Sequence, residues 1–489
     1  MNCFWRRVLS LAAAAGLLSF GAPAGAAAEA AEILPMTLEC EDGTMLGGAQ
    51  TGQRGGVGYV DGLKADGDGV LIRFEIAQEG FYDIIVRSAS HGGHKENIVA
   101  VDGVSAGSFT TDESDFTESR VKRVRLSKGE HTVSLLKSWG WVLLDSITLV
   151  ESEPLPADLY EVNPAPVNPA ASPNAKRLKK WLSSIYGEKV LSGQNCDTGM
   201  MGYENMAIQK TTGQYPALLG LDMIEYSPSR VANGSSGRSV DFALNYWQKG
   251  GISTFCWHWN APEKYLTGVW YSGFYKEHTN INLKKIMDGE DPEGMELLLR
   301  DIDVISEAMK PLAEADVPIL WRPLHEASGG WFWWGASDSD SYIRLYRLLY
   351  QRMTEVHGLN NLLWVWNGQH EDWYPGDDVV DLIGWDVYPG EHVYTSQGDI
   401  FLRAAACSGE RKIVILSENG CVPDPDEVFA DGTVWGAWCT WGGEFVLKTA
   451  GFNKLGEKYT EAAILKKAYA DERVITRADL PDFSAIPID

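Results

Sequence analysis

Cysteine is scarce and scattered in this chain: seven in 489 residues, at positions 3, 40, 196, 256, 407, 421 and 439, with no C-x-x-C spacing. That excludes a disulfide-built scaffold and a thiolate metal cluster, and leaves room for a single disulfide whose partners the spacing does not fix. Basic residues are in deficit, 42 Lys and Arg against 67 Asp and Glu, a formal net charge of −25 spread without a long acidic block. Such a surface repels nucleic acid and anionic membrane, so neither is expected as a partner, and a neutral ligand fits better. No P-loop, G-x-S-x-G elbow, H-E-x-x-H or dinucleotide fingerprint is present, which removes the nucleotide, serine-hydrolase and zincin readings. Beyond the N-terminus no apolar run approaches the roughly 20 residues that cross a bilayer.

The N-terminus itself reads as a secretory signal over residues 1–31. Arg6 and Arg7 precede an apolar core, Val8 to Phe20, and small Ala-rich sequence runs on to Ala31. The mature protein is therefore expected outside the cytoplasm, secreted to the medium or the periplasm. Cys3 comes ahead of the apolar core, too early for a lipid anchor. Aromatics are plentiful where cysteine is not. Of 19 Trp, 11 fall between Trp321 and Trp441, a concentration suited to stacking on the flat apolar faces of sugar rings.

Length favours two domains. Short alternating runs at 70–76, 81–89, 97–103, 120–126, 131–137 and 141–150, separated by Gly, Asp and Ser, read as an all-β sandwich over about residues 35–152. A Pro-rich stretch, 153–173, reads as a semi-rigid extended spacer. From Asn174 to 489 apolar strands alternate with helical patterns. The strands are 189–195, 215–222, 251–259, 317–326, 361–367, 381–389, 412–419 and 434–442; the helices include 239–249, 294–315, 340–357 and 398–407. Near-continuous apolar strands are covered on both faces, and eight of them in about 315 residues predict a (β/α)8 TIM barrel.

Barrel chemistry sits at the C-terminal ends of strands. Those ends carry Asp222, His258, Glu326, Tyr388, Glu418 and Trp441 on strands two, three, four, six, seven and eight. Glu326 and Glu418 each close an apolar strand, and a carboxyl pair of this kind is what glycosidic hydrolysis requires. Strict alternation along 317–326 would set Leu320, Arg322, Leu324 and Glu326 on one side, with a fixed cation beneath the carboxyl; a cation there would oppose protonation of Glu326, so Arg322 is expected rather to anchor the side of the other carboxyl, Glu418. The competing reading of each residue is structural. Glu326 and Glu418 can be salt-bridged strand ends, His258 a packed core histidine, and Asp222 a helix cap. At least one of Trp331, Trp333 and Trp334, and one of Trp364 and Trp366, should be buried packing, as should Trp385. His91 and His94 form at best a weak metal pair.

WRPLHE followed by GGWFWWG, with LSENG downstream and KVLSGQN, WHWNAP, WYSGFY and GWDVYP in order, resembles the β-mannanases of glycoside hydrolase family 26 over roughly residues 176–467. The resemblance implies a retaining (β/α)8 glycosidase with Glu326 as general acid/base and Glu418 as nucleophile. It implies that His325 and Tyr388 hold and polarise the pair, and that His258, Trp331, Asp386 and Trp441 bind the sugar at the cleavage point. No catalytic cofactor is implied; the partner is a β-mannan-type polysaccharide. Relatives cut mixed-linked β-glucan or β-1,3-xylan with the same two carboxyls, and a non-catalytic polysaccharide-binding protein is the reading from another class. The order of TLECEDG, GFYDIIVRSAS, VAVDG, SKGEHTVSL and WGWVLLDSITL over the N-terminal segment resembles carbohydrate-binding modules of family 35, near relatives of family 6. That family's jelly-roll sandwich carries a structural calcium. Glu39 and Glu41, alternating on one strand face, with Asp145 on the last strand, would supply hard oxygen ligands. Of Trp139 and Trp141, one would stack on sugar and the other belong to the core.

Overall fold

The computed structural model describes residues 34–196, 202–449 and 452–488; the expected leader, 1–31, lies outside them. The described chain divides into two compact units, one of residues 34–155 with 389–400, the other of 156–388 with 401–488.

The first unit is a sandwich of two antiparallel sheets. One has the order β3 (Gln50–Arg54), β4 (Val57–Asp61), β11 (Val142–Glu151), β6 (Gly80–Ser90), β9 (Thr117–Leu126), with β1 (Met36–Glu39) also on β11; the other runs β2 (Thr44–Leu46), β5 (Gly69–Ile76), β10 (Gly129–Leu136), β7 (Lys95–Val101), β8 (Val104–Thr111). Period-two patterning explains it: in β5, Ile72, Phe74 and Ile76 are buried while Arg73 and Glu75 face water. The buried set, Val60, Ile84, Val86, Val133, Leu135 and Ile147 among them, forms one core. All six expected strands form. The expectation of Glu39 and Glu41 on one strand face fails, because β1 ends at Glu39 and Cys40–Asp42 is a 3-10 turn. The expected split of Trp139 and Trp141 also fails. They are 59% and 64% exposed, since both precede β11 in a turn where Trp141 takes a positive φ of 60°.

In the second unit β12 (Val190–Leu191) pairs with β21 (Val474–Ile475) beside a closed parallel barrel. Its strands are β13 (Gly193–Asn195), β14 (Leu218–Asp222), β15 (Ile252–Trp257), β16 (Ile319–Pro323), β17 (Leu362–Trp366), β18 (Leu382–Val387), β19 (Ile413–Asn419) and β20 (Trp438–Thr440). Each lies inside its expected segment, and almost every residue in them is buried, as two covered faces demand. The outer layer includes the helices Ser239–Gln248, Pro292–Glu314 and Ser339–Gln351. Trp364 packs outward on Tyr346 and Tyr350 of the last of these, and Trp366 is also fully buried.

The Pro-rich stretch departs from its reading as a spacer. From Pro156 onward it belongs to the barrel unit. Leu159 is buried, the Tyr160 hydroxyl donates to the Gly432 carbonyl and accepts from the Val434 amide, and the Val167 amide donates to Asp381 at 2.8 Å. Lys179, buried in the helix Pro173–Ile185, donates to the Asn163 carbonyl at 2.6 Å. Proline removes the donors a regular element would need, and these side-chain contacts hold the segment instead. The described cysteines are all free thiols, so the single disulfide does not form among them.

Candidate active site

β16 delivers the first carboxyl by ending early. The strand stops at Pro323, and Leu324 and Glu326 both take left-handed backbone, φ 54° and 53°. The alternation expected through Glu326 therefore breaks after Arg322, and two non-glycine residues in this region store of order 1–3 kcal/mol each, a habit of functional sites. The turn that follows is tight. A Cβ on Gly329 would lie 2.0 Å from the Trp331 ring, so only glycine lets that indole fold back, where its Nε1–H donates to Glu326 Oε2 at 2.9 Å. Trp333 and Trp334 are buried, donating to the carbonyls of Trp259 and His325 at 2.6 and 2.8 Å. Trp331 alone of the three stays half-buried at the site.

The second carboxyl, Glu418, lies near the end of β19. One oxygen accepts from the Arg322 guanidinium at 2.5 Å and the other from the Tyr388 hydroxyl at 2.6 Å. Arg322 thus anchors the nucleophile side, as expected, and not the Glu326 that strict alternation would have set above it. It also bonds Asp386 at 3.1 Å. Carboxylate oxygens of Glu326, Asp386 and Glu418 all lie within 4.8 Å of one another. A retaining glycosidase needs its two carboxyls about 5–5.5 Å apart, an inverting one about 6.5–9.5 Å. With one oxygen of each carboxyl inside 4.8 Å of the other, the pair falls on the retaining side of that divide.

Burial pushes both carboxyls up, and their mutual repulsion with Asp386 adds to it. Glu326 rises well above the ordinary carboxylic range through burial, then Asp386 and Glu418, against weaker opposition from Arg322 and Trp331. Glu418 is raised to about 7 by burial and Asp386, with Arg322 and Tyr388 pulling it down. The pair shares one proton, and the donors gathered on Glu418 place it on Glu326. Loss of the Tyr388 hydroxyl removes one of the two downward pulls on Glu418. In Tyr388→Phe the acid limb of kcat/KM should therefore move to higher pH and kcat fall about 10–100-fold, the scale of one hydrogen bond to a charged group; an unmoved limb would show that Tyr388 does not act on Glu418.

Two residues expected on the sugar or the carboxyls have other hydrogen-bond partners. Asp386 is buried, with its Oδ1 accepting from Asn367 and Ser417, each at 2.7 Å, and its Oδ2 from Arg322. Each oxygen has a protein donor, so Asp386 orients Arg322. His325 reaches neither carboxyl; its Nε2 lies 3.2 Å from His258 Nε2. His258 in turn is held by Asp222, Nδ1 to Oδ2 at 2.6 Å, and its ring stands 6.1 Å from that of half-exposed Trp441. Asn367 and Ser417 escaped the sequence reading, although Asn367 closes the apolar run of the fifth strand and Ser417 directly precedes Glu418.

In the sandwich, Glu39 and Asp145 come from paired strands, since Glu39 opposes Ser146. Asp145 is ion-paired with Arg87, Glu41 lies over Gly58, and Glu41 Oε2 is buried without a hydrogen-bond partner. Glu39 is raised by burial and then by Asp145, Glu41 and Asp42. Three such oxygen donors suit calcium in kind, although their ligand atoms do not form one of the tight groups found within 4.8 Å among the described residues. His91 and His94 go to different carboxylates, Asp61 and Asp112.

Comparison with known proteins agrees with the geometry. Residues 36–152 match the carbohydrate binding module of family 35. The chain is 37% identical over 480 residues to a mannan endo-1,4-beta-mannosidase of Thermothelomyces thermophilus, covering 96% of each. It is 34% identical over 442 residues to mannan endo-1,4-beta-mannosidase B of a Piromyces species, covering 88% of this chain and 74% of that one. Among solved structures, a Podospora anserina GH26-CBM35 beta-(1,4)-mannanase aligns with a TM-score of 0.64 at 35% identity, over 92% of this chain and 99% of that one. Residues 167–478 match glycosyl hydrolase family 26; the chain belongs to that family of retaining enzymes, with its Glu326–Glu418 pair at the mouth of the barrel.

Proposed function

We propose that the protein is a secreted endo-β-1,4-mannanase, cutting mannan, glucomannan or galactomannan within the chain by double displacement. The observation that carries the reading is the carboxyl pair, with Glu326, Asp386 and Glu418 oxygens inside 4.8 Å; the names of the most similar relatives support the substrate. Glu418, its charge held by Arg322 and Tyr388, attacks the anomeric carbon while Glu326 gives its proton to the departing glycosidic oxygen. The covalent ester removes the charge on Glu418, so the repulsion that kept Glu326 protonated falls. Glu326 then takes a proton from water, which attacks the same carbon and releases the sugar with retained configuration. His258, Trp331 and Trp441 line the sugar position, with Trp331 doing double duty as a donor to Glu326.

Secretion is supported by the N-terminal signal pattern. Among the described residues no helix is long and apolar enough to cross a membrane. The family 35 module would hold the enzyme near insoluble polymer and raise its effective concentration there. Reducing-sugar release from a panel of soluble polysaccharides tests the substrate. Glucomannan and galactomannan should be cut; strong activity on lichenan or β-1,3-xylan with none on glucomannan would reject mannan.

In the module, Glu39, Glu41 and Asp145 would hold a structural calcium, which would screen their mutual repulsion and satisfy the orphaned Glu41 oxygen. Calcium at 100 times its Kd should add about 2.7 kcal/mol to the module, so EGTA should lower its unfolding temperature by about ten degrees or more. Unfolding that is identical with calcium and with EGTA would exclude the site.

A further inference from the structure

The bond-breaking steps leave one half-buried polar chain at the barrel mouth unused. Asp222, at the end of β14, accepts from three donors: the Ile224 amide at 2.9 Å and the His258 amide at 3.1 Å on Oδ1, and His258 Nδ1 at 2.6 Å on Oδ2. The far nitrogen of His258, Nε2, faces Nε2 of His325 at 3.2 Å. Two imidazole nitrogens in contact need one proton between them, and the carboxylate already fixes a proton on His258 Nδ1. Two assignments remain. Either His258 is neutral and accepts from His325, or His258 carries both protons and donates to a neutral His325. The other nitrogen of His325, Nδ1, is buried without a partner in both, so it does not choose between them.

The surrounding charges do. Facing His258 are Asp222 of β14, Cys256 of β15 with Sγ 3.9 Å from Nδ1, His325 after β16, Arg322 of β16 and Glu418 of β19. The rings of Phe274, Phe332 and Trp441 stand 5.0, 5.5 and 6.1 Å from that of His258, which keeps part of its surface open. Two carboxylates outweigh one guanidinium, and the nearer carboxylate is in direct contact. We propose that Asp222 is a positioning residue that keeps His258 a doubly protonated cation at the barrel mouth, fixing His325 as the neutral acceptor beside Glu326. This rests on the reading of Glu326 and Glu418 as the reacting pair.

The titration directions agree. Burial opposes the charge on His258, but Asp222 and then Glu418 overcome it and raise the ring above its usual value. Burial, the His258 cation and Arg322 together depress His325 well below its own. The attraction is mutual: a cation favoured by Glu418 favours an ionised Glu418 in return. Asp222 therefore acts at one remove on which carboxyl of the pair keeps the shared proton.

Imidazole 15N shifts of the full-length protein, with the His258 signals assigned by their loss in His258→Gln, test the charge directly. At about pH 7 the wild type should show two protonated nitrogens on His258, and Asp222→Asn a neutral ring. A neutral His258 in the wild type would overturn the proposal, whatever the enzyme's activity. With glucomannan, Asp222→Asn should move the acid limb of kcat/KM to higher pH, because Glu418 loses the cation that favours its ionised form, with the loss of activity greatest on the acid side; Asp222→Glu should restore the profile. A uniform loss at every pH would mean that Asp222 is only structural. Should Asp222→Asn not fold, the wild-type spectrum still decides, and absence of wild-type turnover on every β-glycan would sink the mannanase reading without touching the charge on His258.

Discussion

Glu418→Ala should abolish mannan hydrolysis while leaving polymer binding intact. Removing a nucleophile that forms a covalent intermediate deletes the first step itself, so kcat on soluble glucomannan should fall by about 10⁴-fold or more, at least about 5 kcal/mol of transition-state stabilisation. Retention on insoluble mannan should not change, because affinity for polymer is spread over the cleft and the binding module. The substitution also strips buried Arg322 of one of its two carboxylate partners, leaving Asp386. Glu418→Gln is the control for that effect, since it keeps the volume and an oxygen acceptor for Arg322 while losing the nucleophilic charge. Both variants should be equally inactive. Turnover within tenfold of wild type in either would mean that the carboxyl at 418 is not the attacking group and that the barrel works by another pair or not at all.

Glu326→Ala should separate the two steps. On polymer, the departing sugar oxygen has no proton donor, and kcat/KM should fall by about 10²–10⁴-fold, the usual contribution of general acid catalysis. On a dinitrophenyl mannobioside the leaving group needs no proton, so the glycosyl-enzyme still forms at Glu418. It then accumulates, because nothing activates water, and KM falls along with kcat. Azide needs no base. It should attack the anomeric carbon, raise kcat by about tenfold or more and give a β-configured glycosyl azide. The alkaline limb of the pH profile should vanish in the same variant, since it reports loss of the Glu326 proton, which burial and the charges of Asp386 and Glu418 hold well above the ordinary range. Equal losses on polymer and on the activated substrate, with no azide rescue, would remove Glu326 from the acid/base role.

Much of this could be read along the chain because the forces that write it are local. Strands buried on both faces must be apolar throughout, so β14 to β19 announce themselves as runs, and a Glu that ends such a run stands out at 326 and again at 418. Sandwich strands alternate for the same reason, which is why Ile72, Phe74 and Ile76 were legible from spacing alone. Motif order carried the family.

What the tertiary structure decided is who faces whom once the barrel closes. Arg322 lies four residues before Glu326 yet bonds Glu418 and Asp386, because Pro323 ends the strand and left-handed turns at Leu324 and Glu326 swing the following carboxyl out of line. The motif places Asp386 on the sugar, whereas the structure gives its oxygens to Asn367, Ser417 and Arg322, contributed by different parts of the barrel. Trp331 serves Glu326 through its N–H, Tyr160 ties a Pro-rich stretch to the barrel, and Trp139 and Trp141 both stay exposed. The Arg322, Asp386 and Tyr160 contacts join segments far apart in the chain, whereas the Trp331 hydrogen bond and the exposed Trp139 and Trp141 rest on local turns with left-handed backbone. Periodicity reports which face of an element is buried; it carries no record of the partner that buries it.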